Sequence, residues 1–111
     1  IRLRDNAGNV ELSTAGGNFQ IQPGGSSPIV TVTSAGFVLP GGDNTQDLGS
    51  STKRWRNLYT GDLHLSNETQ EKGNDVDGTK GNWTVQEGEE NLYLINNNTG
   101  KKFKFTLEEI E

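Results

Sequence analysis

Apolar residues occur in this chain in short alternating stretches, and residues that favour turns lie between these stretches. The clearest stretches are residues 10–12, 19–21, 30–32 and 103–107. Alternation of apolar and polar residues with a period of two is the pattern of a half-buried β-strand. Gly, Pro and Asn lie between these stretches and are the residues that favour tight turns. The pattern predicts an all-β fold of short strands and hairpins.

The apolar content is too low for such strands to build an ordinary core within one chain. Only 29% of the 111 residues are hydrophobic and 15 are Gly, whereas average globular chains are about 45–50% apolar. A lone monomer would bury too little surface to offset its chain entropy. A chain with so few apolar residues is therefore either disordered or shares its core with other chains. The modest net charge of −5, with aromatic residues inside patterned segments, favours the shared core.

The first third of the chain contains two similar segments, residues 10–25 and 30–42. Each has an apolar stretch, two hydroxyl residues, Ala-Gly, an apolar patch and Pro-Gly-Gly. We interpret each copy as strand, turn, strand and break. One such unit is too small to bury its apolar face, so we expect units to stack or to wrap around an axis with neighbouring chains. Two hairpins of a small sandwich are the alternative. We assign residues 1–42 to a Gly-rich β-repeat shaft.

Residues 43–67 form a second segment, which we interpret as a joint of turn, Trp and strand. Asp47 and Ser50 are candidates to cap a turn through their side-chain oxygens. Residues 50–56 could form one or two helical turns, and alternation from residue 57 onward predicts a strand. A Trp can stack on sugars or act as a binding hot spot. In a chain this poor in apolar residues, we expect Trp55 to fill the shared core instead.

The last segment, residues 68–111, is a polar loop followed by a hairpin tip. Strands are predicted at 83–86, 91–95 and 102–107, and Asn96–Gly100 is suited to a tight hairpin turn. Acidic residues before the hairpin could face the lysines of the last strand. Residues 74–78 are rich in oxygen ligands but lack the spacing and the terminal Glu of a calcium loop, so we expect a solvated loop.

Several classes of function are not expected. No Cys is present, no apolar run is long enough to span a membrane, and no basic face could follow a nucleic-acid backbone. His64 is the only histidine. Three copies could present three imidazoles to an axial metal, but the parity of His64 places it opposite Leu63 and Leu65, on the polar face. We expect no enzyme activity, no cofactor and no metal.

Two stretches resemble bacteriophage fibre and tailspike proteins. The first follows the pattern D-N-T-x-D-L-G-S-S-x-x-R-W-x-N-L/I-Y. The matching residues are Asp43, Asn44, Thr45, Asp47, Leu48, Gly49, Ser50, Ser51, Arg54, Trp55, Asn57, Leu58 and Tyr59. The second resembles the closing hairpin of virion-surface proteins and covers residues 83–105, from Trp83-x-Val85-Gln86-Glu87-Gly88 to Gly100-Lys101-Lys102-Phe103-Lys104-Phe105.

The resemblance implies an elongated, intertwined, β-prism-like homotrimer at the C-terminal end of a phage fibre, located in the virion and attaching it to the host surface. Its partners would be further copies of itself, other virion proteins and a bacterial surface glycan or protein. A capsid or tail decoration or connector protein without receptor contact is one alternative, and a carbohydrate-binding module is another. The predicted trimer core is Trp55, Leu58, Tyr59, Leu63, Leu65, Leu92, Leu94, Phe103 and Phe105. The candidate receptor-facing loop residues are Asp43, Asn44, Asn74, Asp75, Asp77, Asn97 and Asn98.

Overall fold

A computed structural model describes residues 14–24 and 27–111, and within these ranges it contains seven short strands and no helix. The all-β prediction is confirmed. The strands are β1 (Phe19–Ile21), β2 (Val30–Val32), β3 (Val38–Pro40), β4 (Leu63–Ser66), β5 (Asn82–Glu87), β6 (Leu92–Asn96) and β7 (Lys102–Lys104). They form two antiparallel sheets, of three and four strands, in which each strand pairs with the next along the chain.

The described residues divide into two compact units, one ending at Lys53 and the other starting at Arg54. The boundary lies inside the segment 43–67, and the division into shaft, joint and tip remains a prediction. The helical turns expected at 50–56 are wrong. Instead, the Ser50 hydroxyl accepts a hydrogen bond from the Lys53 amide at 3.0 Å, and the Ser50 amide donates to the Lys53 carbonyl at 2.9 Å. Ser50 therefore caps a turn, as predicted, but no helix follows this turn.

The first sheet has the order β1-β2-β3 and confirms the hairpin predicted in the second repeat. Its turn is closed by hydrogen bonds between Thr33 and Phe37, and Gly36 has a φ of 90° that only Gly adopts without strain. The return strand of the first repeat, β1, pairs with the first strand of the second repeat, β2. The predicted strand at residues 10–12 lies outside the described residues.

The second sheet has the order β4-β5-β6-β7. The predicted hairpin is confirmed: β6 and β7 are joined by a tight turn in which the Asn96 amide donates to the Lys101 carbonyl at 2.9 Å. The strand predicted from residue 57 begins only at Leu63. The last strand ends at Lys104, because Phe105 already lies beside Leu92, where β6 starts, and the following residues have no partner strand. Strand ends are therefore set by the neighbouring strand.

Neither sheet has a buried apolar core within the described part of the chain. Thr84, with 4% of its surface exposed, is the one described residue that is buried, and no described hydrophobic residue is. Folded domains normally bury many aliphatic and aromatic side chains completely. Single-chain packing therefore leaves the apolar surface of both sheets only partly covered.

Candidate assembly and attachment surfaces

One face of the second sheet is apolar across all four strands. The register aligns Leu63 with Val85, Val85 with Leu94 and Leu94 with Phe103, which makes one continuous row. Residues two positions away along each strand share this face. We call this set the apolar sheet face: Leu63, Leu65, Trp83, Val85, Leu92, Leu94, Phe103 and Phe105. The rings of Trp83 and Phe103 pack with centroids 5.8 Å apart.

The apolar sheet face is only partly covered by its own chain. Leu65 is 51% exposed and Phe103 is 47% exposed, while Val85 and Leu94 are half-buried. Six of the nine residues predicted for the trimer core lie on this face. Sequence reasoning omitted Trp83 and Val85, although their alternation inside the predicted strand 83–86 was sufficient to place them there.

The other three residues predicted for the trimer core lie elsewhere, in an irregular segment before β4. We call residues 54–60 the arm. Trp55 is 68% exposed, Leu58 is 69% exposed and Tyr59 is 90% exposed. The arm contains no strand or helix, which corrects the sequence-based expectation that residues 57–62 continue the alternating strand. The arm therefore presents three large side chains that its own chain does not cover.

The opposite face of the second sheet is polar and carries a hydrogen-bond network around Thr84. The Asn97 side-chain amide donates to the Thr84 hydroxyl at 2.9 Å, and that hydroxyl lies 3.0 Å from His64 Nδ1. The Thr84 hydroxyl therefore links the Asn97 amide to the His64 ring. His64 thus lies on the polar face, as its parity predicted, and Asn97 is engaged with the sheet.

The loop 67–81 between β4 and β5 is ordered by its own side chains. Asn74 Oδ1 accepts from the amides of Val76 and Asp77 at 2.8 and 3.0 Å, and Asp77 Oδ1 accepts from the Thr79 amide and hydroxyl at 3.0 and 2.7 Å. Two of the candidate receptor-facing residues, Asn74 and Asp77, therefore hold the loop in shape. Asp75 and Val76 form the tip, where Val76 is 96% exposed.

The remaining candidate receptor-facing residues lie in two turns. Asp43 and Asn44 occupy an exposed turn after β3, and Asn44 has a φ of 54°, which Asn tolerates better than most residues. Asn98 lies in the exposed β6–β7 turn, where its amide donates to Asn96 Oδ1 at 3.0 Å. The turn at Asp43 and Asn44 belongs to the first compact unit, whereas Asn98 and the loop 67–81 belong to the second.

We expect the Asp77 carboxylate to make the shape of the loop sensitive to acid. The hydrogen bond from the Thr79 hydroxyl, followed by those from the Thr79 amide and the Asn74 side chain, lowers the pKa of Asp77. A lowered pKa in the folded state stabilises the loop above the unfolded pKa of about 3.9, and this stabilisation is lost as the pH falls through the folded-state value. We expect the Thr79 amide to lose protection from hydrogen exchange in that acidic range.

An Asp77→Asn variant is the control for this pH titration. The amide oxygen of Asn can still accept hydrogen bonds but carries no titratable proton, so protection at Thr79 should then change little with acid. Unchanged Thr79 protection in the natural protein down to about pH 2, well below the range of an ordinary Asp, would contradict this role of Asp77.

An open groove of about 490 Å³ lies where the loop meets β4 and β5. Leu65 and Trp83 contribute apolar surface, whereas Asn67, Lys80 and Gly81 contribute polar groups. Gly81 lies against the indole, since a Cβ added there would be 3.0 Å from Trp83 Nε1. An aromatic ring next to amide and ammonium donors is the type of surface that can hold a sugar ring.

β6 separates Glu87 on β5 from the lysines of β7, whereas Glu90 in the β5–β6 turn lines one pocket together with Lys104, as the sequence suggested. The described residues include no cluster of His, Cys, Asp or Glu arranged to hold a metal ion. No helix of sufficient length and apolarity to cross a bilayer is found among them either.

Comparison of the chain with protein-family models, curated proteins and solved structures gave no match.

Proposed function

We propose that this chain is a structural subunit of a bacteriophage fibre, that it assembles as a homotrimer, and that it serves attachment to the host surface. The observation that carries the proposal is the apolar sheet face, of whose eight members five stay 39–51% exposed in the single chain. Contiguous apolar patches of this kind are rare on monomers and mark interaction surfaces. A closed cyclic assembly would cover one such face on every copy.

The resemblance of residues 43–59 and 83–105 to phage fibre proteins supports this class of assembly. In a fibre, several chains share one core, which suits a chain of 29% hydrophobic content. The elongated, intertwined and β-prism-like arrangement is part of the same proposal. The protein would act by binding and not by catalysis, without a cofactor, as one component of the virion.

Attachment would use the loops at the ends of the sheets. The loop 67–81 offers a pre-shaped tip at Asp75 and Val76, and a shaped loop loses less entropy on binding than a flexible one. Three copies on one fibre would present the same tip three times. Weak individual contacts with a bacterial surface glycan or protein would then combine through avidity.

The groove beside Trp83 favours carbohydrate binding as a second candidate function. An isolated carbohydrate-binding module would act as a monomer and would need no covered sheet face. A decoration or connector protein of the capsid or tail would assemble as a fibre does but would not contact a receptor. Oligomeric state and location on the particle separate these three possibilities.

The mass of the native protein in solution tests the proposal directly. We expect a species of three times the 12.1 kDa of one chain, measured by native mass spectrometry and by light scattering. A stable monomer would refute the fibre and leave the carbohydrate-binding module. For the location, antibody labelling of particles should mark the fibre tips, and labelling of the shell or neck would argue for the decoration protein.

A further inference from the structure

We propose that the arm of one copy, residues 54–60, lies across the apolar sheet face of the neighbouring copy. This inference rests on the proposed homotrimer and names the contact that holds it together. The two surfaces belong to the same compact unit of the chain, yet both remain exposed. Each is therefore a partner for the other when a second copy is present.

The arm has the size and chemistry to cover the apolar sheet face. Seven extended residues reach about 23 Å, whereas four adjacent strands are only about 15 Å wide from centre to centre. Trp55 and Tyr59 are amphipathic aromatic residues of the kind that fill apolar interfaces, and both are mostly exposed in the single chain. One arm can thus reach across all four strands.

The residue that precedes β4 is held on the polar face of its own sheet. Only Gly61 and Asp62 separate the arm from Leu63, the first residue of β4. The Asp62 carboxylate accepts a hydrogen bond from Gln86 Nε2 at 3.0 Å, and Gln86 belongs to the polar face because it alternates with Val85. Asp62 is thus tied to the polar side, and the exposure of Trp55 and Tyr59 shows that the arm is not packed into its own chain.

Charge complementarity gives the contact a direction. Arg56 lies on the arm, and Glu87, Glu89 and Glu90 lie at the β5–β6 end of the sheet, with Glu87 on the apolar side. All four of these residues are exposed in the single chain. If the Arg56 end of the arm lies beside the β5–β6 turn of the neighbouring copy, Arg56 can pair with these glutamates across the interface.

This contact joins two different surfaces, so it is heterologous. In a closed ring each copy then gives one arm and receives one, and closure after three copies leaves no arm or face uncovered. The intertwining expected of a fibre would follow from this exchange. Direct packing of one apolar sheet face on another is the competing arrangement, and it predicts different neighbours for residue 56.

Cross-linking between differently marked chains tests the exchange, because the natural chain has no Cys. Chains carrying Arg56→Cys would be assembled with chains carrying Glu89→Cys and treated with a short thiol-specific cross-linker. We expect a covalent pair of one chain of each type. The matched control is Arg56→Cys with Lys102→Cys, because Lys102 lies at the opposite, polar face of the sheet and should give no product.

Charge reversal provides an independent measurement. Arg56→Glu should raise the dissociation constant of the assembly about tenfold at low salt, and joint replacement of the three glutamates by lysine should do the same. Combining both changes in one chain should restore assembly. A trimer without the 56–89 cross-link and without charge rescue would overturn the arm exchange but leave the homotrimer. A protein that stays monomeric would overturn both.

Discussion

Replacing Leu65 with aspartate should convert the assembled protein into single chains. Leu65 is 51% exposed in the single chain, so the sheet itself should tolerate the change. In the proposed assembly the new carboxylate would lie in an apolar interface without a partner, which costs on the order of several kcal/mol per chain. Because three copies would each carry this cost, we expect no trimer at micromolar concentration. Light scattering measures the mass and circular dichroism checks the fold.

Ser66→Asp is the matched control for the Leu65 variant. It adds the same charge at the next residue, on the polar face, and an aspartate there can still accept the hydrogen bond that the Ser66 hydroxyl receives from the Glu68 amide. We expect the Ser66 variant to assemble as the natural protein does. If both variants assembled equally well, the apolar sheet face would not be an interface and the fibre proposal would lose its main support.

Alternation predicted the second sheet well, because a period of two is a local property of the sequence. The pattern predicts Leu63 and Leu65 on one face and His64 on the other, and the register confirms this arrangement. The β6–β7 hairpin was equally predictable from the sequence, since an Asn-rich run ending in Gly favours a tight turn by itself. These features depend on residues that are neighbours along the chain.

The features that sequence reasoning missed depend on partners elsewhere in the chain. Tyr59 continues the parity of Leu63, yet the strand starts at Leu63 and leaves Tyr59 in the irregular arm. The loop 67–81 looked like an ordinary solvated loop, because the hydrogen bonds from Asn74 and Thr79 to Asp77 depend on a three-dimensional shape that composition does not reveal. The sequence pattern thus predicted which residues share a sheet face and where the hairpin turns lie. It did not predict where the strands end or that hydrogen bonds order the loop 67–81.

Trp55→Ala is the second variant from which we expect a large effect. It should weaken assembly without changing the fold of the single chain. Trp55 is 68% exposed, so most of its surface is still available for burial. At about 25 cal/mol per Å² of apolar surface, covering the rest of an indole contributes about 3 kcal/mol per chain. This loss would weaken each contact about a hundredfold. The trimer's dissociation constant, measured by sedimentation, gives the size of the effect.

Lys53→Ala is the control, because Lys53 is an exposed residue next to the arm whose described hydrogen bonds use only its backbone. It should assemble normally. The decisive comparison is between assembly and cell binding of the Trp55→Ala protein. If Trp55 packs on a neighbouring sheet, both are lost together, since avidity requires the assembly. Intact trimers that no longer bind cells would instead assign Trp55 to a receptor site, and the covering of the apolar sheet face would then fall to other residues of the arm, Leu58 and Tyr59.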